Sequence, residues 1–420
     1  MKQKIVLCVT GVLTVFIGLS VLTTCNGSGP KGTGCVPAIA ESIIIPPDTR
    51  KPVVNVYIEN TESMYGYVNG STDFKDIIHN YLSDIIISDV TEGMNLFYIN
   101  NIIIPHQGSL FGFIQGLNPT IFKNKGGDIS STDNSKLLDT ISKETSKETI
   151  SILVSDFIFS PGRGIDAAKY LRAQQIGIRV NFVQYLNNNP NMAVCIYQLS
   201  SQFKGRYFNR VDAPTNIDNR RPFYICIIGD RQHLTKLQSS VPLSKFIGNG
   251  VENIFTIMQG NQKVDYAIRP GTGSFNLDKK NPKQKITKAK KDHSGKQTFS
   301  VDANLSGFLL ESDYLKNENN YILNDKDYQL QVTDSPSGSK GYTHSFRLSS
   351  DKVKPSCLSI KLKTNIPEWV EMMNDDEGLD INADGAMKKT YGISFLINGI
   401  HGAFTHRDSC YTEIKISINQ

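Results

Sequence analysis

Three short runs of nearly unbroken apolar residues decide what this chain can fold into. Val53-Val54-Asn55-Val56-Tyr57-Ile58, Ile150-Ser151-Ile152-Leu153-Val154-Ser155 and residues 223–228 are rich in β-branched and aromatic side chains and too short for helices. A strand that is apolar on both faces has to be covered on both faces. The coverings lie between these runs. Phe74, Ile77, Ile78, Tyr81, Leu82 and Ile85 recur at spacings of three and four and predict a helix over 73–87. Leu137, Leu138 and Ile141 mark a shorter helix over 135–142. Residues 164–175 read as helical with Gly177 as the stop, and another helix starts at Gln232. Residues 95–99, 178–185 and 193–199 complete the predicted strands. Strands alternating with helices predict an α/β domain over 51–240, a mainly parallel sheet flanked by helices.

Beyond residue 240 the pattern turns to alternation. Residues 297–301, 328–332, 344–348, 358–363 and 413–418 alternate apolar with polar side chains, which predicts a β-rich C-terminal domain over 241–420. Residues 391–404 are expected to form a helix packed on that sheet. Residues 279–291 carry seven lysines without a helical period. They read as a solvated loop or hairpin tip, with a basic contact patch for anionic lipid or glycan as the sharper alternative. Asp380-Ile381-Asn382-Ala383-Asp384-Gly385 matches the opening of an EF-hand loop, but Tyr391 stands where a bidentate Glu is required. A polar turn is expected there.

The N-terminus sets the compartment. Lys2 and Lys4 precede an apolar stretch over 5–22, the layout of an export signal. At ~18 residues it is at the lower limit for a membrane-spanning helix, which needs about 20. Leu22-Thr23-Thr24-Cys25, followed by Asn26-Gly27-Ser28-Gly29-Pro30, resembles a bacterial lipobox, with Thr at the position more often filled by Gly, Ala or Ser. The reading is a signal peptide over 1–24, a lipid on Cys25 and a flexible tether over 25–50; the other reading is an uncleaved anchor helix. No acid follows Cys25 before Glu41, which favours the periplasmic side of the outer membrane within the bacterial cell envelope. With 45 basic and 40 acidic residues the net charge is only +5, too small for a dedicated nucleic-acid binder. Leaving aside Cys8 and Cys25, five cysteines remain (35, 195, 226, 357 and 410), so at least one is unpaired within the chain. Cys195 and Cys226 are expected as buried thiols, and Cys357 with Cys410 is a candidate bridge.

One constellation reads as chemistry. After the first strand come Glu59-Asn60-Thr61-Glu62-Ser63-Met64-Tyr65-Gly66-Tyr67. An acid and two hydroxyls at alternate positions, at the C-terminal edge of a parallel strand, aim into the crevice where open α/β sheets bind ligands. Such hard oxygens suit Mg²⁺. The loop resembles the metal-ion-dependent adhesion site of the von Willebrand factor A (vWA) fold, whose first loop reads D-x-S-x-S, and is similar to divergent vWA-like lipoproteins of the Bacteroidota type. The resemblance covers residues 51–235. It implies a Rossmann-type sheet and a divalent-cation site with Glu59, Thr61 and Ser63 from the first loop. A second loop supplies Thr132, with Ser130 or Ser131 as alternatives, and a third supplies Asp156. The implied partner is an envelope protein offering an acidic side chain to the cation.

Two departures matter. Glu59 stands for the family's Asp and is longer by one C–C bond, about 1.5 Å. Glu62 adds a charge where the family has a small residue. The plainer reading of the same residues is a loop whose Thr61, Ser63 and Asp156 bond to backbone and cap a helix. Catalytic signals are thin: the seven histidines show no H-E-x-x-H spacing, and G-x-S-x-G and Walker motifs are absent. The expectation is a non-enzymatic binding or scaffolding lipoprotein. The alternatives are a metal-independent structural lipoprotein with a degenerate site, or, further off, a metal-assisted hydrolase.

Overall fold

The structure, a computed structural model, describes residues 50–130, 133–246, 250–336 and 341–420. The expectations for the 1–24 leader, Cys25, most of the tether, Cys35, Ser131 and Thr132 lie outside them. Among the described residues no helix is long and apolar enough to cross a membrane.

β1 (Val53–Glu59) is the centre of a seven-stranded sheet. β2 (Gly93–Ile99) and β4 (Thr149–Ser155) pair with it in parallel, one on each side, and β3 (Ile103–Pro105) returns antiparallel along β2. A long hairpin follows, β5 (Met192–Phe208) and β6 (Pro214–Asp230), and β7 (Val251–Met258) closes the far edge. The order is β3-β2-β1-β4-β6-β5-β7. The expectation of a mainly parallel sheet therefore needs refining. β1, β2, β4 and β5 point one way, but only β2-β1-β4 pair in parallel, because the hairpin inserts β6 antiparallel beside β4.

The side-chain period of two divides the core. Val54, Val56 and Ile58 face the Asp73–Ile87 helix, while Tyr57 and Leu153 face the opposite layer. That layer holds the helices Asn134–Glu144 and Ala167–Asn188. Residues 178–185 are not a strand: the Ala167–Asn188 helix runs through them unbroken. Its buried residues, Leu171, Ile178, Phe182, Tyr185 and Leu186, follow helical spacing despite the β-branched content. Gly177 is not a stop but a contact. A Cβ there would lie 2.7 Å from the Ser135 hydroxyl of the neighbouring helix.

The rest is a β-sandwich. β8 (Tyr266–Pro270), β9 (Ser274–Leu277), β10 (Lys285–Lys290), β11 (Gln297–Ala303), β12 (Tyr321–Leu323), β13 (Gln329–Asp334), β14 (His344–Ser350), β15 (Ser356–Lys363) and the strand Cys410–Ile418 form two sheets. One runs β13-β14-β11-β8, the other β12-β15-(410–418)-β10-β9. Tyr321 against Phe346 (5.2 Å) and Phe275 against Phe299 (6.2 Å) link them face to face. All five strands expected beyond residue 240 are present.

Two expectations are corrected here. The helix Ile393–Phe404 packs not on the sandwich but on the Ala167–Asn188 helix. Phe404 meets Phe182 at 6.1 Å, and Ile393, Leu396 and Ile397 are fully buried in the α/β core. Cys357 and Cys410 do not pair, since Cys410 is free and Cys357 is disulfide-bonded elsewhere. Their strands are antiparallel, with Cys357 opposite Ser417 and Cys410 opposite Lys363. That separates them by roughly 20 Å along the sheet, beyond disulfide reach. Cys195 and Cys226 are buried free thiols, and burial pushes Cys195 up to about 12. The Asp380–Gly385 segment is a turn in which Asp380 accepts the Asn382 amide.

Arg221 of β6 ties the returning chain to the sheet. Its guanidinium is buried, lies 4.7 Å from the Tyr207 ring, and donates to the carbonyls of Ala386 (3.1 Å), Met387 (3.2 Å) and Lys389 (3.1 Å). Arg221→Met leaves three carbonyls, one buried and two half-buried, without a charged donor. We expect it to cost about 2–4 kcal/mol, read as a lower urea midpoint at unchanged slope. A midpoint equal to wild type would refute the clamp.

Candidate functional site

The parallel register builds the site. Ile58 pairs with Val154, so Glu59 ends β1 beside Ser155, and Asp156 follows at once. Thr61 Oγ1 donates to Glu59 Oε1 (2.7 Å) and lies 3.1 Å from Ser63 Oγ. Ser155 Oγ donates to the other Glu59 oxygen and accepts the Phe157 amide at 2.8 Å. Asp156 Oδ1 accepts the Ile158 amide (3.2 Å). Glu59 and Asp156 are 1% and 2% exposed, so both acids have left water.

Three costs gather at this strand end. Phe157 holds a left-handed backbone, φ 51°, which a bulky residue seldom adopts. The Ser155 and Asp156 side chains, by receiving the amides of 157 and 158, fix that turn. Asp156 Oδ2 is buried without a donor in hydrogen-bond geometry, although the Ser63 hydroxyl lies close enough to ease its charge. Burial, and then the neighbouring Glu59 charge, push Asp156 up to about 7, while the Ile158 amide, Ser63 and Arg221 pull the other way.

Loops on every side hold the first loop in place. Asn60 donates to the Phe122 carbonyl (3.3 Å), Asn100 donates to Asn60 Oδ1 (3.2 Å) and to the Gly126 carbonyl (2.9 Å), and the Glu62 amide donates to Ile129 (2.9 Å). The outer half of the β5–β6 hairpin reaches past the sheet and lies over residues 62–67. Phe203 meets Tyr67 at 4.9 Å, and a Cβ on Gly66 would sit 2.5 Å from the Phe203 ring. Glu62, expected to charge the site, instead turns toward Arg206 at 3.5 Å.

Of the residues singled out in the sequence, Glu59, Thr61, Ser63 and Asp156 come together. Ser130 does not. It is exposed, and both its amide and its hydroxyl donate to Asp128 (2.9 and 2.6 Å). Sequence reasoning missed Ser155, although a hydroxyl closing an apolar run beside Asp156 was a usable signal. It also missed Arg221, Asn60 and Asn100, whose roles depend on contacts remote in sequence. A cavity of about 230 Å³ opens beside the site between Asn100, Asp128, Asp133 and Lys136. A larger one, about 520 Å³, lies far away on the outer face of the β13-β14-β11-β8 sheet.

The donors suit a small hard cation: the Glu59 and Asp156 carboxylates, the latter with one buried oxygen that no donor meets in hydrogen-bond geometry, and the Thr61, Ser63 and Ser155 hydroxyls. Among the described residues, no group of three or more His, Cys, Asp or Glu side chains is placed to hold a metal. Any such site thus rests on the two acids and their hydroxyls. Comparison with known proteins returns no matching family model, no matching curated protein and no matching solved structure.

The raised Asp156 makes a pH prediction. Between about pH 4 and 7 the folded state keeps a proton that the unfolded chain has released, so stability falls as pH rises through that window. In chelator, urea unfolding should lose roughly 2–4 kcal/mol from this group. Asp156→Asn should flatten the slope; parallel pH profiles for the two proteins would exclude a perturbed Asp156.

Proposed function

We propose that this chain is a lipid-anchored protein of the bacterial cell envelope that binds or scaffolds another envelope protein through a vWA-like domain. One observation carries the reading: Glu59 and Asp156 meet at the C-terminal ends of adjacent parallel strands, among the Thr61, Ser63 and Ser155 hydroxyls. Ligand sites form at such edges. Glu59, Thr61, Ser63 and Asp156 would hold a divalent cation, Mg²⁺ or a similar ion, whose charge would cancel the repulsion between the two acids. The chain's own part is to shape the recognition loop. Glu59 fixes Thr61, Thr61 reaches Ser63, and half-buried Glu62, Ser63 and Tyr65 form the face a partner meets. The near-complete burial of both acids favours this organising role over direct docking of a partner carboxylate. The disulfide at Cys357 fits an oxidising compartment.

A second reading, a metal-independent structural lipoprotein, is favoured by the hydroxyl donors that already fill both Glu59 oxygens and by the Arg221 charge near Asp156. Isothermal titration with Mg²⁺, Mn²⁺ and Ca²⁺ separates the two. The cation reading expects saturable heat that vanishes in Asp156→Ala and varies with buffer at pH 7, because uptake expels the Asp156 proton. No saturable heat in wild type leaves the structural reading. The anchor is tested by growing cells on labelled palmitate. Wild type should take up label and Cys25→Ser should lose it; an unlabelled wild-type band refutes lipidation.

A further inference from the structure

The lysine run of residues 279–291 finds its place at the corner of the sandwich. β9 and β10 form a hairpin whose tip carries Lys279, Lys280 and Lys283, and β10 itself carries Lys285, Lys288 and Lys290, with Lys291 just beyond. A bulge shapes the inner strand. Pairing slips between Thr287 and Lys290, and Lys288 adopts φ 55°. The slip lets Ile286 and Ala289 both enter the core while Lys288 and Lys290 stay exposed. Two lysines are spent on local pairs, Lys283 with Asp265 and Lys285 with Asp278 (3.6 Å). Lys279, Lys280, Lys288, Lys290 and Lys291 are exposed and make no ion pair among the described residues. No acid lies within 279–291; Asp278 is taken by Lys285, and Asp292 is held in its own turn by the amides of Ser294 and Lys296.

Guarding a sheet edge against aggregation does not account for this charge. The edge strand is β9, Ser274–Leu277, and it contains no lysine. We propose that this hairpin is a membrane-contact surface that rests on anionic lipid headgroups. Lysines are compact point charges suited to a diffuse negative surface, whereas recognition of discrete anionic groups draws on the planar arginine fork, and no arginine lies in the hairpin. Leu277, 38% exposed at the base of the tip, places an apolar side chain next to Lys279 and Lys280, as shallow interfacial insertion requires. The proposal goes beyond the binding function above, because it states which face of the sandwich turns to the bilayer and holds with or without a lipid on Cys25.

The test uses the full chain with vesicles of phosphatidylcholine alone or mixed with phosphatidylglycerol, and reads lysine acylation by mass spectrometry. In anionic vesicles the five free lysines should be protected severalfold relative to neutral ones, protection should fade at high salt, and Lys143 and Lys169 should react equally in both. The triple variant K279Q/K280Q/K288Q alters only exposed unpaired positions, and at ~5-fold per lysine should weaken the anionic preference roughly a hundredfold at low salt. Equal labelling in both vesicles, or protection by a soluble heparin fragment but not by anionic vesicles, would overturn the proposal. Pelleting with neutral vesicles reports the anchor separately, so a missing anchor and a missing hairpin contact give different results.

Discussion

The parallel pairing of β1 with β4 is the constraint from which the rest follows. Its register sets Glu59 beside Ser155, and Asp156 follows at once, so both acids emerge at one sheet edge. Two acids this close and this buried repel each other and lose hydration together, and neither loss is small. The surroundings answer with donors. Thr61 and Ser155 fill the Glu59 oxygens, the Ile158 amide reaches Asp156, and Asn60, Asn100 and Glu62 bind the first loop to its neighbours. The conformation of residues 60–66 is thus a consequence of the strand register, transmitted by side-chain oxygens.

The hairpin that breaks the parallel sheet covers part of this edge. β5 and β6 are 17 residues each, longer than the core needs, and their outer halves spread over the loop that follows β1. Phe203 supplies the apolar cover and Arg206 meets Glu62. On its inner side the same hairpin carries Arg221, which holds residues 386–389 and brings the chain back from the sandwich to the α/β layer. The Ile393–Phe404 helix then completes the core beside Ala167–Asn188 before the last strand returns to the sandwich. The two halves share core elements, so a cut near residue 240 would strip the first half of β7 and of that helix.

What could be read from residues alone follows the physics of burial. The 73–87 helix was legible to the residue because one stripe is apolar and the opposite face polar, and the three central strands because a run buried on both faces has few alternatives. Residues 178–185 misled because Ile178, Val180, Phe182 and Val183 have strand propensity, and helical packing overrode it. The outer hairpin is not marked by any sustained period, because only Tyr207 and Ile217 among residues 204–208 and 214–220 are buried apolar side chains, set among Lys204, Arg206, Asp218, Asn219 and Arg220. The 393–404 helix was recognised as a helix but assigned to the wrong layer, since an element apolar nearly all round does not say which neighbour covers it. At the site, the acids and first-loop hydroxyls were visible as a motif, whereas Arg221 entered through three backbone carbonyls that carry no sequence signal.

Whether the edge is an inert loop or a ligand site turns on where unfavourable terms accumulate. A loop that only had to pack would be served as well by apolar residues, since replacing buried charge by matched hydrophobic side chains is often neutral or stabilising. Here a left-handed Phe157, a carboxylate oxygen without a donor and an acid raised toward neutrality all fall within two consecutive residues of one strand end. Strain and perturbed acids cluster at functional sites, and structural networks also produce them. Arg221 offers partial relief to Asp156, but Ala386, Met387 and Lys389 share one of its terminal nitrogens, Nη1, and so hold the guanidinium in place. In the cation reading proposed above, a positive charge that binds and leaves would supply the relief that the fixed Arg221 gives only in part.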